Sequence, residues 1–306
     1  MDPAEYANLE RVEQDHWYYA GKRELARWWL ERHAIFRGDQ PVARSRTEES
    51  TQTLRPQGRA PLACPELVER AETRLAQSPA QLQSAPLGDG RATSQITIAR
   101  GARPRLLDCG AGTGCFAAEM THSCEVWALD DHEESLALLR KRLSPSRVLA
   151  LDSATLPAAD ASFEIVTALD VLEHIPDDVS AVREIRRVLA PGGVFLATVP
   201  ALMALWSDWD EALHHQRRYS RRGLVGLFPP GEWEVLHANY TNVLVFPLVW
   251  AIRKGRRLFG RRGGRSEDAI PARPINAVLK WLFVATGKLR LPFPFGVSLL
   301  IVARRT

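Results

Sequence analysis

The sequence predicts an α/β fold built on a parallel sheet, and three observations predict it. From residue 103 onward short apolar runs alternate with helical stretches, the pattern of a parallel sheet covered on both faces. Several of these runs end in an acid: Asp108, Asp130, Asp152 and Asp170. The first run, in "RLLDCGAGTGCF", passes from its acid straight into three glycines at alternate positions, the place where such sheets take ligands.

The elements follow in order. Residues 1–37 read as an N-terminal helical segment, with Leu25, Trp28 and Trp29 three and four apart on one face. Residues 38–100 read as a disordered insert. No aromatic residue occurs from Arg37 to Cys115, and the stretch is rich in Ser, Thr, Gln, Pro, Ala and Arg, which cannot bury enough apolar surface to offset chain entropy. Residues 101–306 carry the sheet. Its strands are "RLLD", "CEVWALD", "RVLALD", "FEIVTALD" and "GVFLATVP". The clearest helix is "PDDVSAVREIRRVLAPGG". Acids open it, Val179, Val182, Ile185 and Leu189 face one way, arginines close it and Pro-Gly-Gly stops it.

Bulk composition narrows the setting. Of 306 residues 45% are hydrophobic and 25% charged, with a formal net charge of +4, as expected for a globular chain. Cys64, Cys109, Cys115 and Cys124 show no CxxC pair or metal-ligand spacing, so free thiols in a reducing compartment are expected. The acidic, polar start "MDPAEYANLE" is unlike a signal peptide, and no apolar run is long enough to span a bilayer. The expected location is cytoplasmic.

Gly110, Gly112 and Gly114 admit positive φ and close backbone approach, which suits a nucleoside-bearing ligand lying over the turn. "GTGCFA" also satisfies a dinucleotide fingerprint, and Asp130 lies near the spacing of a ribose-binding acid. At this level an NAD(P)-dependent oxidoreductase and a non-catalytic cofactor-binding protein of the same fold remain open.

The neighbourhood separates them. D-x-G-x-G-x-G after the first strand, "VWALD", "LDSATLPAADASFEIVTALDVLEHIPDD" and "REIRRVLAPGGVFLATVP" together resemble, in register and in order over residues 104–200, the class I S-adenosylmethionine-dependent methyltransferases. The resemblance implies a doubly wound, seven-stranded, mostly parallel sheet, with "WEVLHAN" and "GVSLLIVARR" as a final antiparallel pair. It implies S-adenosyl-L-methionine as cofactor. Asp130 would take the ribose hydroxyls, Asp152 with the backbone of Ser153 and Ala154 the adenine amine, and Asp108 and Gly110 the methionine part. Asp170 would touch the methionine part or the substrate. "HQRRYSRRGL" and "HWYYAGKRELARWW" also resemble segments of bacterial methyltransferases associated with polysaccharide, lipid or quinone pathways.

The segment "WSDWDEALHHQRRYSRRG" follows the fifth strand at the ligand edge, where loops carry function disproportionately. His214 or His215 is the candidate base for a hydroxyl acceptor, with Asp208 or Asp210 orienting it. Arg217 and Arg218 suit a phosphate or carboxylate on a substrate, with Tyr219 beside them and His174 of "LEHIP" a further contact. No metal is expected. Glu211, His214 and Arg218 also fit a plain helix face.

Residues 240–295 read as an amphipathic and basic insertion between the last two strands. Apolar and aromatic stretches flank a basic cluster beginning at Arg253. That composition suits contact with an anionic membrane surface, or a lid over a pocket. The expected partner is a small-molecule or lipid-linked acceptor, with no nucleic acid.

Overall fold

A computed structural model of the chain describes residues 3–34, 103–258 and 270–306. The sequence-predicted insert at 38–100 and part of the basic cluster lie outside the described residues.

Seven strands form one sheet: β1 (Arg105–Cys109), β2 (Glu125–Asp130), β3 (Val148–Ala150), β4 (Phe163–Leu169), β5 (Leu189–Pro200), β6 (Trp233–Thr241) and β7 (Ser298–Arg305). Their order is β3-β2-β1-β4-β5-β7-β6. The first five are parallel neighbours. β7 runs antiparallel to both β5 and β6, so the sheet contains one reversed strand. The order turns at β1, and the crevice beyond a switch point of this kind is where open α/β sheets bind ligands.

The helices are α1 (Pro3–Val12), α2 (Trp17–His33), α3 (Cys115–Met120), α4 (Glu133–Arg142), α5 (Asp178–Val188), α6 (Asp208–Ala212), α7 (Arg221–Val225), α8 (Phe246–Leu258) and α9 (Arg273–Gly287). Strand residues alternate between two cores because successive side chains leave a strand on opposite faces. Leu107, Val166, Phe195 and Ile301 join Val182 and Ile185 of α5 and Leu224 of α7 in one core. Leu106, Ile165, Leu196 and Leu300 join Trp29, Phe116, Leu139 and Phe283 in the other. Helices therefore cover both faces of the sheet.

Two helix faces refine the sequence reading. On α2, Leu25 and Trp29 are buried and Trp28 is half-buried. On α5, Val182, Ile185 and Val188 are buried, whereas Val179 is 41% exposed. Asp178, four residues before Val182, takes the inward place expected for Val179. Its carboxylate receives Tyr219 Oη at 2.8 Å and pairs with Arg217 at 2.8 Å. Cys109, Cys115 and Cys124 are free, buried thiols.

Candidate active site

β1 delivers Asp108 to the carboxyl edge, and the chain then takes positive φ at Gly110 (62°), Gly112 (57°) and Gly114 (80°) before α3 begins. These glycines do different work. A Cβ on Gly110 would lie 2.5 Å from Val171 Cγ2, and one on Gly114 would lie 2.7 Å from Leu139 Cδ2, so both are packed. A Cβ on Gly112 would meet nothing within 4 Å. Gly112 is the open part of the turn. Its N–H donates to Asp130 Oδ2 at 2.9 Å and its carbonyl accepts from Ser135 Oγ at 2.6 Å.

Three carboxylates crowd this turn. Asp108 is 3% exposed and accepts from Thr167 Oγ1 at 2.6 Å. Burial pushes its pKa up to about 7. The Thr167 bond opposes the rise, and the charges of Glu13 and Asp130 add to it. Asp130 is also pushed up by burial, against hydrogen bonds from Gly112, Ser135 and the His132 amide. Glu13, just after α1, accepts from Thr113 Oγ1 within the glycine turn. Asp152 and Ser153 lie beyond β3 on an exposed turn, where Ser153 Oγ donates to the Thr155 carbonyl at 3.2 Å.

Asp170 ends β4 with φ 59°. It receives Lys22 Nζ at 2.8 Å, Thr198 Oγ1 at 2.8 Å and Tyr18 Oη at 3.2 Å. Burial alone would raise its pKa, but the Lys22 charge and these hydrogen bonds outweigh burial and lower it. Its oxygens are thus occupied by α2 at Oδ2 and by β5 at Oδ1.

The segment after β5 sorts its candidates sharply. Asp210 is fully buried in α6 and is the hub. Ser207 N and Arg218 Nε donate to it at 2.8 and 2.6 Å, and His215 Nδ1 lies 2.9 Å from its Oδ1. Burial would raise its pKa; the His215 and Arg218 hydrogen bonds, with the Arg218 and Arg253 charges, hold it at about 2. α6 ends at Ala212, and His214 takes a left-handed φ of 57°, which turns it into solvent and brings His215 inward. The adjacent histidines therefore stand in different settings, and His215 is the one joined to Asp210. Arg217 Nη2 donates to the Pro176 carbonyl at 2.6 Å, and Arg218 Nη1 to the Ala201 carbonyl at 3.2 Å. Tyr219 Oη reaches Asp178 and the Leu172 carbonyl. All three hold the 172–178 segment and Asp210 in place.

His174 stands edge-on to His215 at a ring distance of 4.8 Å. Burial, then the His215 charge, lowers its pKa to about 4, so it is neutral. Beside it lies a residue the sequence reading passed over. Glu173 has 0% exposure, neither carboxyl oxygen has a hydrogen-bond partner, and burial with the Asp170 charge raises its pKa well above the carboxylate range. Ligand atoms of Glu173, His174 and His215 lie within 4.8 Å of one another, as do those of Asp130, Asp131 and His132; among the described residues these two groups could hold a cation. An acid followed by histidine inside the apolar "VLEHIP" was the available signal for Glu173. Nothing in the sequence announced Glu13 or Lys22 at the sheet edge.

A parallel sheet whose order turns beside an open glycine corner, with acids at adjoining strand ends, defines a nucleoside-binding α/β domain. Residues 107–197 match the family model described as "Methyltransferase domain". A malonyl-[acyl-carrier protein] O-methyltransferase of Enterobacter lignolyticus is 32% identical over 127 residues, covering 39% of this chain and 51% of that protein. A ubiquinone biosynthesis O-methyltransferase of Pseudomonas aeruginosa is 35% identical over 103 residues, covering 31% and 44%. The chain spans about half the length of the curated relatives it matches. A solved putative methyltransferase of Bacillus halodurans aligns with a TM-score of 0.45 at 18% identity, covering 66% of this chain and 93% of that one.

Proposed function

We propose that the chain transfers a methyl group from S-adenosylmethionine to an acceptor oxygen. One observation carries the reading: the turn from Asp170 to His174 adjoins both halves of the site. Val171 packs on Gly110 of the glycine corner, and His174 packs on His215 of the Asp210 dyad. A cofactor over the corner and an acceptor at the dyad would be neighbours.

The corner fits a cation better than a pyrophosphate. Glu13 and Asp130 raise the cost of ionising Asp108, and an ammonium or sulfonium relieves it where a phosphate would aggravate it. Asp130 and the Gly112 face would hold the ribose side, and Asp108 the amino-acid side. The relatives named as S-adenosylmethionine-dependent methyltransferases agree with this choice over a nicotinamide.

When bound, the cofactor supplies a methyl group on a sulfonium. The chain supplies the rest. Asp210, ionised, accepts from Nδ1–H of His215, and that fixes the tautomer with Nε2 free to accept a proton. Nε2 would take the proton of the acceptor hydroxyl and so leave the oxygen nucleophilic toward the methyl group that a bound cofactor would supply. Glu173, held neutral and without a side-chain partner among the described residues, would offer a hydrogen bond to a polar group of the acceptor. Positioning supplies much of the remaining acceleration.

The test is calorimetry with S-adenosylhomocysteine and with NADH. The former binds, and Asp130→Ala weakens it by about 1.5–3 kcal/mol, the worth of hydrogen bonds to a charged group. His215→Gln leaves that affinity intact but lowers methyl transfer by about 10²–10⁴-fold. Binding of NADH without S-adenosylhomocysteine overturns the assignment.

A further inference from the structure

The large apolar side chains that the described surface exposes are not scattered. All but Val179 and Met203 fall between Leu244 and Phe295, on α8, α9 and the adjoining loops. Leu248 is 63% exposed, Trp281 67% and Leu291 61%, with Ile252, Ile275 and Val278 beside them along the two helices. On α9, Ile275, Val278 and Trp281 follow at intervals of three, while Phe283, Val284 and Gly287 pack inward. The pieces adjoin: Phe246 stacks on Phe295 at 4.8 Å, and Val245 and Leu279 line one small cavity. Isolated exposed apolar residues need no explanation, but a contiguous set of this kind marks an interaction surface.

Charge narrows the occupant. The described residues from Asn242 to Val297 contain no Asp or Glu; Lys254, Arg273 and Arg290 are exposed, while Lys280 and Lys288 pair with Glu24 of α2 at 3.0 and 3.6 Å. Lys254 lies over the Trp250 ring at 4.6 Å, an aromatic and a cation sharing one boundary position. Apolar helix faces edged by the exposed cations Lys254, Arg273 and Arg290 and by tryptophan complement an anionic lipid surface. Among the described residues no helix is long and apolar enough to cross a membrane, so these helices would lie along the boundary.

We infer that the α8–α9 face docks on an anionic bilayer and holds the dyad toward it. The link is Arg253. It is buried on the inner side of α8, donates to the Leu205 carbonyl at 2.6 Å and sits 3.7 Å from Asp210 Oδ2. The helix that meets lipid on one side thus holds the partner of His215 on the other. This rests on the proposed methyl transfer and narrows its acceptor to one carried in the membrane, an apolar tail in the bilayer and a hydroxyl reaching the dyad.

The full chain is tested by flotation with vesicles of equal parts phosphatidylglycerol and phosphatidylcholine, and with phosphatidylcholine alone. Wild type floats with the anionic vesicles and is released by high salt. The double variant Leu248→Glu, Trp281→Glu, altered only at exposed positions, partitions about a hundredfold less. S-adenosylhomocysteine calorimetry on the same samples shows that the variant is folded. It also separates the two readings: lost cofactor binding with retained flotation sinks the methyl-transfer assignment alone. Docking is overturned if wild type does not float, if the variant floats equally, or if wild type is a stable dimer that the two substitutions dissociate.

Discussion

The carboxyl ends of β1 and β4 lie side by side, and each carries an aspartate out of bulk water, yet the two acids are held in opposite states. Among the described residues Asp108 has one protein donor, Thr167, and like charges around it, and its pKa is pushed up to about 7. Asp170 has Lys22, Tyr18 and Thr198, and its pKa is lowered. The difference lies in α2, which brings a lysine to one strand end and leaves the other to a ligand. Burial makes an acid costly to ionise; whether it serves structure or binding depends on where its counter-charge comes from.

The sharpest way to break the contrast is Lys22→Met. It leaves Asp170 beside the sheet without its cation and is expected to cost about 2 kcal/mol of stability, between an exposed pair and a fully buried one, read as a lowered denaturation midpoint. A midpoint unchanged within error would mean that Tyr18 and Thr198 suffice.

Asp108 sharpens the contrast through pH. Below about 7 it is protonated in the free protein, and a cationic ligand favours its ionised form, so binding there must release a proton. Affinity for S-adenosylhomocysteine should rise with pH up to about 7, by at most about tenfold per pH unit, and level off above. Asp108→Asn should flatten the profile. A flat profile in the wild type would place the ammonium elsewhere.

The smallest effect concerns three histidines whose pKa burial lowers. Burial, the largest cause at each, holds His33, His174 and His237 at about 4. The unfolded chain protonates them near about 6.5 and so binds more protons between the two values. Stability should therefore fall as pH drops from about 6.5 toward 4. His237→Gln, which removes the ring stacked 3.8 Å from Trp29, should make that fall shallower in urea midpoints measured across the window. An unchanged slope would assign the acid sensitivity to the other two.

What was readable in the sequence was local. Apolar runs marked the inner strands because β1, β4, β5 and β7 are buried on both faces, and alternating glycines with a preceding acid marked the corner. What escaped depends on distant residues. Lys22 meets Asp170 across 148 positions, and Glu13 meets Thr113 across 100. His214 and His215 are indistinguishable by composition and pattern; a single left-handed residue decides which turns inward. Val179 fits the apolar spacing of α5, but the Tyr219 hydroxyl and the Arg217 charge draw Asp178 inward instead.

The crossing of α2 and α9 bears on how the chain is made. Gly21 lies where a Cβ would come 2.6 Å from the Phe283 ring, Gly287 lies against Leu25, and Trp29 Nε1 donates to the Gly287 carbonyl across 258 positions. During translation Trp29 and Leu25 emerge long before α9, so a nascent chain exposes this face of α2 until α9 has been made. Holdase chaperones would find their foothold there.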